Sequence, residues 1–520
     1  RMKQLVPHLS RKDDAVDRSR SVVSLRDIQR VFDLFRFFKN DFVLADKESS
    51  AMSQHRHAML LAIAVVYYLR LDRKSRLDFI VLIGTMPMEK DQSTNFLEIL
   101  TSSINTVIEG TAIPDGVAST IGIKENIFMT VVCSLSRTPL MIIGPPGCSK
   151  TLAVNIVIDN ANGEESRTEF YRKKPRIQHF HYQCSKTSTS NEVASVFDRA
   201  IQRQDNVDAS RQQCLVFMDE AGLPEEEKES LKVLHYYLEG QVSTKASVAY
   251  VAITNHVLDA AKSNRCVSLL RPEANHEELL TIAIGVLFNT TDISCDVRKV
   301  VIEETQTSML AIEFATRLCH TYTRLIRDEK AFKWFETFFG LRDFIYFLKA
   351  IKRRSDTSGP SFTIYLKTIV WALQRNFNGC EFYQLKRVVH EFLLCILPGD
   401  RNRTMNLADN LIKRPIEVVR EALSLEEEPE SLSYKSRYKL IIDESDDDSI
   451  IRLLEGDGLI DCSGNSLFKL SGMLEDSEME RLALVSGVKF AALQGRTALL
   501  SQTEAVNESF YDLFNQHFRS

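Results

Sequence analysis

The eight residues GPPGCSKT, Gly144 to Thr151, constrain the fold of this 520-residue chain more than any other segment. The apolar run Pro139–Gly144 precedes them and predicts a buried strand, and Thr151–Ile158 predicts a helix. A strand, a glycine-rich turn and a helix form the setting in which G-x-x-x-x-G-K-[ST] becomes a phosphate-binding P-loop. One letter departs from the motif, because Ser149 stands where glycine is usual. The sequence therefore raises the question of whether this turn still binds a nucleotide.

The chemistry of such a turn is specific. The backbone N–H groups of a P-loop and the N-terminus of its helix hold phosphates. Lys150 would reach the β- and γ-phosphates, and the hydroxyl of Thr151 would bind Mg²⁺. If position 149 needs a positive φ, serine costs about 1–2 kcal/mol relative to glycine, although its hydroxyl can donate to a phosphate. The alternative is a chance match in a Gly-Pro turn. The residues predicted to bind ATP are Gly144, Pro145, Pro146, Gly147, Cys148, Ser149, Lys150, Thr151 and Asp219.

A second motif ends in two acids. The run Cys214–Met218 predicts a buried strand, and Asp219 and Glu220 follow it directly. We predict that Asp219 holds Mg²⁺ through water and that Glu220 is the general base that polarises the attacking water. The alternative is a strand that meets a polar loop. The shared α/β pattern with the P-loop favours the catalytic interpretation.

A polar residue follows the next strand-like run, Val248–Thr254. A side chain at this strand end can orient water between the general base and the γ-phosphate. Asn255 is the first candidate and Thr254 the second. The alternative is an asparagine that only closes a strand.

Three arginines are candidates for contacts to phosphate. Arg265 precedes the strand-like run Cys266–Leu270, and we predict that it is an arginine finger directed at a neighbouring module's nucleotide. Arg271 is the rival, and an ordinary surface arginine is the alternative. Arg342, in the helical region beyond the sheet, is predicted to touch the γ-phosphate. Its alternative is a salt bridge with Asp343 at the start of a helix.

Periodicity along the chain predicts the organisation. Strand-like runs alternate with helices and indicate a parallel sheet with helices on both faces, whereas from Asn275 to about Leu397 the pattern is purely helical. Ser24-Leu-Arg-Asp27 and Gly340-Leu-Arg-Asp343 are interpreted as equivalent points in two tandem modules. The predicted regions are a helical segment 1–115, an α/β core 116–274, a helical lid 275–400, an acidic linker 401–435 and the start of a further domain 436–520.

Composition excludes some classes of function. A net charge of −5 gives no electrostatic footprint for nucleic acid. The longest apolar run, Ala58–Leu69, is shorter than the roughly 20 residues that span a bilayer. The ten cysteines include no C-x-x-C, which argues against a zinc site and for a reducing compartment.

These motifs, in this order, resemble the AAA+ ATPases, and GPPGCSKTLA, MDEAGLPEEEKESLKVLHYYLEG and FFGLRDFIYFLK are similar to the mysterin family of giant RING-finger AAA+ proteins. The resemblance implies an AAA+ P-loop NTPase core with an α-helical lid, flanked by parts of neighbouring modules of one long chain, and the cofactors ATP and Mg²⁺. Residues 20–115 resemble the lid end and connector of a preceding module, and 430–520 the opening of the next. For the full protein the resemblance implies ubiquitin ligase activity, with a ubiquitin-conjugating enzyme and ubiquitin as partners, in the cytosol or on lipid droplets. Serine before the P-loop lysine occurs in this family.

Three functions are compatible with the sequence. The first is a motor module in which ATP hydrolysis drives lid movement. The second is a scaffold that binds ATP, hydrolyses it slowly and regulates ubiquitin transfer elsewhere in the protein. The intact Glu220 and Asn255 favour the motor. The third is a threading unfoldase, which needs an aromatic pore loop that the polar stretch Gln183–Asn191 lacks.

Overall fold

The computed structural model of the chain divides into two compact units, residues 1–369 and 370–520. The residues that the structure describes are 24–40, 51–84, 92–114, 116–224, 230–238, 248–289, 298–328, 332–355, 361–397, 399–423, 439–441, 443, 447, 449–460, 466–470, 478–510 and 514.

The first unit opens with helices, as the apolar spacing predicts. They are α1 (Leu25–Asn40), α2 (Ala51–Ile63), which continues as the π-helical turn Ala64–Tyr68, α3 (Arg73–Gly84) and α4 (Gln92–Glu109). Ser24 and Asp27 cap the start of α1 through reciprocal bonds between backbone and side chain.

An α/β layer follows and contains the P-loop motif. Its elements are α5 (Ile121–Ser136), β1 (Leu140–Ile143), α6 (Lys150–Asn160), α7 (Glu169–Arg172), β2 (Arg176–Gln183), α8 (Ser190–Asp205), β3 (Gln212–Asp219), α9 (Leu234–Leu238), β4 (Ala249–Thr254), α10 (Ala260–Ser263) and β5 (Val267–Leu270), with short 3₁₀ turns at Gly163–Glu165 and Ser230–Val233. The five strands form one parallel sheet in the order β2-β3-β4-β1-β5. The strands predicted at 139–144, 214–218, 248–254 and 266–270 are all present.

The sheet is buried on both faces. Strands β1, β3 and β4 are almost entirely buried, as expected for parallel strands covered by helices on two sides. Alternate residues of these strands enter two hydrophobic cores, one against α5 and α6 and the other against α8 and α9. This packing fixes where the carboxyl ends of the strands, and the polar residues that follow them, lie.

The N-terminal helices pack against the edge of this sheet. The Leu270 N–H of the edge strand β5 donates to the Leu69 carbonyl at 3.4 Å. Arg30 of α1 donates to the carbonyls of Asn264 and Cys266 at 3.0 and 3.3 Å. Helices α1 to α4 share a hydrophobic core with the sheet. They therefore cover an edge that would otherwise expose unpaired backbone groups.

The prediction of a purely helical pattern from Asn275 to Leu397 is wrong. Three short strands lie among the helices and form a separate sheet in the order β7-β6-β8, with β6 antiparallel to β7 and parallel to β8. The elements are α11 (His276–Phe288), β6 (Lys299–Ile302), β7 (Thr307–Leu310), α12 (Ala311–Arg327), α13 (Lys333–Phe338), α14 (Leu341–Arg353) and β8 (Ser361–Ile364), with a 3₁₀ turn at Glu303–Thr305. Each strand has four residues, too few for an alternating pattern to stand out from helical spacing.

Within its described residues, the second unit contains helices and one pair of short strands. Its elements are the part of α15 (Leu366–Asn376) from Val370 onward, α16 (Phe382–Ile396), α17 (Arg401–Leu411), α18 (Pro415–Leu423), α19 (Ser449–Gly456), β9 (Leu467–Lys469), α20 (Glu478–Leu493), β10 (Leu499–Ser501) and the 3₁₀ segment Glu504–Phe510. Helices α17 and α18 lie in the region that the sequence assigns to the acidic linker. Asp400 caps α17, and Pro415 opens α18, where its missing N–H is not needed. The acidic run 426–430 lies outside the described residues.

Among the described residues, no helix has the length and the apolar character needed to cross a membrane.

Candidate nucleotide-binding site

The P-loop motif forms a tight turn between β1 and α6. The Gly144 N–H donates to the carbonyl of Thr254 at 3.1 Å and anchors the start of the turn to β4. Gly147 has a φ of 91° and Ser149 a φ of 57°. The position where the motif usually has glycine therefore adopts the left-handed conformation, which disfavours a side chain.

Replacement of Ser149 by glycine is expected to raise the free energy of unfolding by about 0.5–1 kcal/mol. Relief of the left-handed strain contributes about 1–2 kcal/mol, and the greater freedom of glycine in the unfolded chain offsets about 0.4–1 kcal/mol of it. Chemical denaturation followed by circular dichroism measures the change. Ser195→Gly on the exposed face of α8 is the control and is expected to destabilise the chain. A loss of stability in Ser149→Gly would mean that the serine side chain makes a compensating contact.

Lys150 lies buried at the centre of the site. Its Nζ donates to the carbonyls of Gly144 and Pro145 at 2.5 and 2.9 Å and to Asn255 Oδ1 at 3.0 Å. Burial lowers the pKa of this ammonium group, and the nearby Cys148 thiol and acidic side chains oppose that shift. The lysine is thus the link between the P-loop and the end of β4.

The two acids after β3 face the same turn. Thr151 Oγ1 donates to Asp219 Oδ2 at 3.4 Å, and the Glu220 N–H donates to Asp219 Oδ1 at 2.8 Å. Burial raises the pKa of Asp219, while these hydrogen bonds and Lys150 act against it. A hydroxyl and a carboxylate at this distance are hard oxygen ligands of the kind that Mg²⁺ binds together with phosphate oxygens.

Glu220 contacts the residue that the sequence favours at the end of β4. Asn255 Nδ2 donates to Glu220 Oε2 at 2.8 Å. Glu220 itself has a φ of 52°, a strained conformation of the kind found at functional sites. The Thr254 hydroxyl instead donates to the carbonyl of His256 at 2.7 Å. Asn255, and not Thr254, therefore connects Lys150 with Glu220.

Arg265 and Arg271 lie at opposite ends of β5. Val267 pairs with Leu140 and Leu270 with Ile143. Arg265 therefore lies at the amino-terminal end of the strands, whereas the P-loop follows the carboxyl end of β1. Arg271 lies beside the P-loop and is 5% exposed. It forms an ion pair with the buried carboxylate of Glu125. This arrangement directs Arg271 inward and leaves Arg265 as the candidate for a contact with a neighbouring module.

The lid helix α14 begins over the P-loop. A Cβ built on Gly147 would lie 3.2 Å from Leu341 Cβ and 3.3 Å from the Arg342 nitrogen. Arg342 is exposed, and the Asp343 carboxylate accepts the Gly340 N–H at 2.8 Å as a cap of α14. Burial raises the pKa of Asp343. Arg342 therefore belongs to the first turn of a helix that begins beside Gly147.

A cleft adjoins the P-loop, and no sequence motif indicates which residues form its walls. It lies between the segment before α5, the first turn of α6, and the lid helices α11 and α14. Its apolar lining includes Val117, Ala118, Leu152, Ile282 and Ile345. These side chains suit a planar aromatic base, since ligand pockets are mostly apolar with a few polar groups. Only their three-dimensional proximity reveals them, because they come from four separate segments.

No group of three or more His, Cys, Asp or Glu side chains that could hold a metal ion by themselves is found within the described ranges. The pair Thr151 and Asp219 would need oxygen atoms from a bound phosphate and from water to complete the shell of Mg²⁺.

Several known proteins are similar to this chain in sequence. Residues 116–278 match the family model described as the RNF213 AAA domain. The human E3 ubiquitin-protein ligase RNF213 is 28% identical over 520 residues, which are 96% of this chain and 9% of that protein. A Dictyostelium discoideum protein, described as an uncharacterised transmembrane protein, is 28% identical over 559 residues, with coverages of 96% and 9%. The chain thus spans 9% of the length of these relatives.

Among solved structures, a point variant of RuvB from Thermotoga maritima is similar at 15% identity, with 59% of this chain and 88% of that chain covered and a TM-score of 0.29. The family match and the sheet order confirm the predicted AAA+ α/β core. The RNF213 relatives confirm the predicted resemblance to the mysterin family, whose members carry the name RNF213 in these comparisons.

Proposed function

We propose that the AAA domain of this chain binds Mg-ATP and hydrolyses it, and that the lid responds to the state of the nucleotide. The observation that carries the proposal is the chain of contacts from Lys150 through Asn255 to Glu220. In this proposal Lys150 binds the β- and γ-phosphates, Thr151 and Asp219 hold Mg²⁺, and Glu220 activates the attacking water. Asn255 holds Glu220 in place until the γ-phosphate arrives.

The lid supplies the coupling in this proposal. Leu341 and Arg342 already lie against Gly147, so a γ-phosphate on the P-loop would meet the N-terminus of α14. Helix N-termini favour anions, and the Arg342 guanidinium adds a full positive charge. Loss of the γ-phosphate would remove that attraction and release the start of α14. Hydrolysis would in this way change the position of the lid.

The placement of Arg265 favours slow hydrolysis by a single module. Arg265 lies at the opposite end of the strands from the P-loop of its own module. A neighbouring module therefore has to supply the arginine finger for this site. An ATP-binding scaffold with slow turnover is therefore the second candidate function. Removal of an arginine finger can reduce the rate by about 10³–10⁵-fold.

The biological setting is proposed from the relatives. Human and mouse RNF213 are described as E3 ubiquitin-protein ligases. We propose that this module drives or regulates conformational change in such a ligase, next to other AAA modules of the same protein. The ubiquitin-conjugating enzyme and ubiquitin would then contact other parts of that protein.

We expect isothermal titration calorimetry to show that the chain binds Mg-ATP with a micromolar Kd, which corresponds to about −8 kcal/mol. Omission of Mg²⁺, or the substitution Asp219→Asn, is expected to weaken binding by about 10-fold, because the cation then no longer bridges phosphate and protein. Asp198→Asn on α8 is the matched control and should leave the Kd for Mg-ATP unchanged. Absence of binding by a demonstrably folded chain would refute the proposal.

A further inference from the structure

A cluster of buried charges lies beside the nucleotide cleft and is not used in the proposed phosphate chemistry. It consists of Arg76, Glu125, Arg271 and Glu278, whose side chains are 14%, 6%, 5% and 13% exposed. Arg76 binds Glu125 through two bonds of 2.8 and 3.2 Å. Glu125 also pairs with Arg271, which lies 3.5 Å from Glu278. We call these four residues the buried charge cluster.

Such a cluster is weak evidence for stability. The cost of taking charges out of water can exceed their attraction, so that buried ion pairs are often no better than apolar residues of the same volume. Their geometry, in contrast, is well defined, because each carboxylate oxygen and each guanidinium N–H has a preferred direction. The cluster is therefore better explained by the positions in which it holds neighbouring residues than by a contribution to the free energy of unfolding.

One end of the cluster forms part of the nucleotide site. The Arg271 N–H donates to the carbonyl of Ile143, the last residue of β1, at 2.7 Å. A Cβ built on Gly144, the first residue of the P-loop, would lie 2.6 Å from the Arg271 carbonyl oxygen and 2.7 Å from its Cβ. Arg271 and Glu278 both line the cleft. A displacement of Arg271 would therefore move the start of the P-loop or the wall of the cleft.

The other end fixes the connection between the π-helical turn and α3. Arg76 Nε donates to the Leu71 carbonyl at 3.0 Å, and Nη2 donates to the Leu69 carbonyl at 3.2 Å. The Leu69 carbonyl also accepts the N–H of Leu270, the residue before Arg271. Residues 69–76 are thus joined to the nucleotide site by three routes, which run through Glu125, through the ion pair of Arg73 with Glu278, and through the backbone of β5.

We infer that Arg76 is a positioning residue for the nucleotide site, acting through Glu125 and Arg271, and that residues 69–76 become more rigid when ATP binds. This inference rests on the proposed binding of ATP and adds a second surface that senses it. Linkage is reciprocal, so a partner that displaced residues 69–76 would weaken ATP binding by the same factor. The AAA domain would then be regulated from its N-terminal helices.

Arg76→Met tests the first part of this inference. Methionine keeps much of the volume but frees Glu125 from one partner, and we expect the Kd for Mg-ATP to rise about 10-fold in molecules that are still folded. Lys173→Met, which breaks the exposed pair with Glu169, is the matched control and should leave the Kd unchanged. A merely structural role would lower the denaturation midpoint of Arg76→Met but leave the Kd of the folded molecules as in the unchanged chain. That result would overturn the inference.

Hydrogen exchange on the unchanged chain tests the second part and does not depend on whether Arg76→Met folds. We expect saturating Mg-ATP to slow amide exchange in residues 69–76 as well as in the P-loop, with no change in the remote helix α8. Protection confined to the P-loop and the cleft walls would refute the coupling. If the unchanged chain binds no ATP, the proposed function fails first, and the inference fails with it. If ATP binds, but exchange in residues 69–76 is not slowed and Arg76→Met leaves the Kd unchanged, the inference alone fails.

Discussion

Replacement of Lys150 by alanine is expected to weaken binding of Mg-ATP by about 100-fold or more, which corresponds to about 2.7 kcal/mol. Lys150 is the cation at the centre of the site, where its Nζ joins the Gly144 and Pro145 carbonyls to Asn255. Without it, the negative charge of the phosphates would face Asp219 and Glu220 with less compensation. Calorimetry with the chain and its Lys150→Ala variant measures the difference.

The comparison needs a control for charge and for folding. Lys173→Ala removes an exposed ammonium group just after α7 and should leave the Kd within about twofold of the unchanged chain, because surface ion pairs contribute little. Circular dichroism should show that Lys150→Ala keeps its helices, since the lysine also bonds to the turn itself. Equal affinities for the chain and Lys150→Ala would place ATP, if it binds, somewhere other than the P-loop.

The sheet and the location of the site could be predicted because their signals are local. Four of the five strands of the sheet, all but β2, are short apolar runs with a breaker or a polar residue at the end, and Asp219, Glu220 and Asn255 follow such runs directly. Parallel strands place their carboxyl ends on the same side of the sheet, so these residues lie close together at that side. The left-handed conformation of Ser149 follows from its place in the motif. Their roles in binding and catalysis remain predictions.

The small second sheet, the ion pair of Arg271 and the walls of the cleft could not be predicted, because they depend on contacts between distant segments. Strand β8 pairs with β6 although the helices α12, α13 and α14 lie between them in the chain, and neither four-residue strand carries a signal that indicates its partner. Arg271 was a plausible finger because its local sequence does not show the buried carboxylate of Glu125, which comes from α5. The cleft walls likewise come from segments that have no common motif. Local patterns thus predict strands and motifs, whereas charge pairing and pocket shape require the folded chain.

Substitution of Glu220 by glutamine is expected to reduce the single-turnover rate of ATP hydrolysis by about 10²–10⁴-fold and to leave the Kd for Mg-ATP nearly unchanged. Glutamine keeps the shape and can still bond to Asn255, but it cannot accept a proton from the attacking water. The rate should be measured in a longer protein that contains a neighbouring module, because Arg265 lies away from its own P-loop. Glu169→Gln on α7 is the control for the loss of a surface carboxylate.

The outcome separates the two candidate functions. A large loss of rate with unchanged affinity would identify Glu220 as the general base and favour the motor. If the longer protein binds ATP but hydrolyses it no faster than the Glu220→Gln variant, the module would be a scaffold whose occupancy, rather than turnover, carries the signal. In that case the bond between Asn255 and Glu220 would keep the carboxylate from the water. Asn255→Ala should then raise the rate in the longer protein, whereas in a working motor the same variant should lower it.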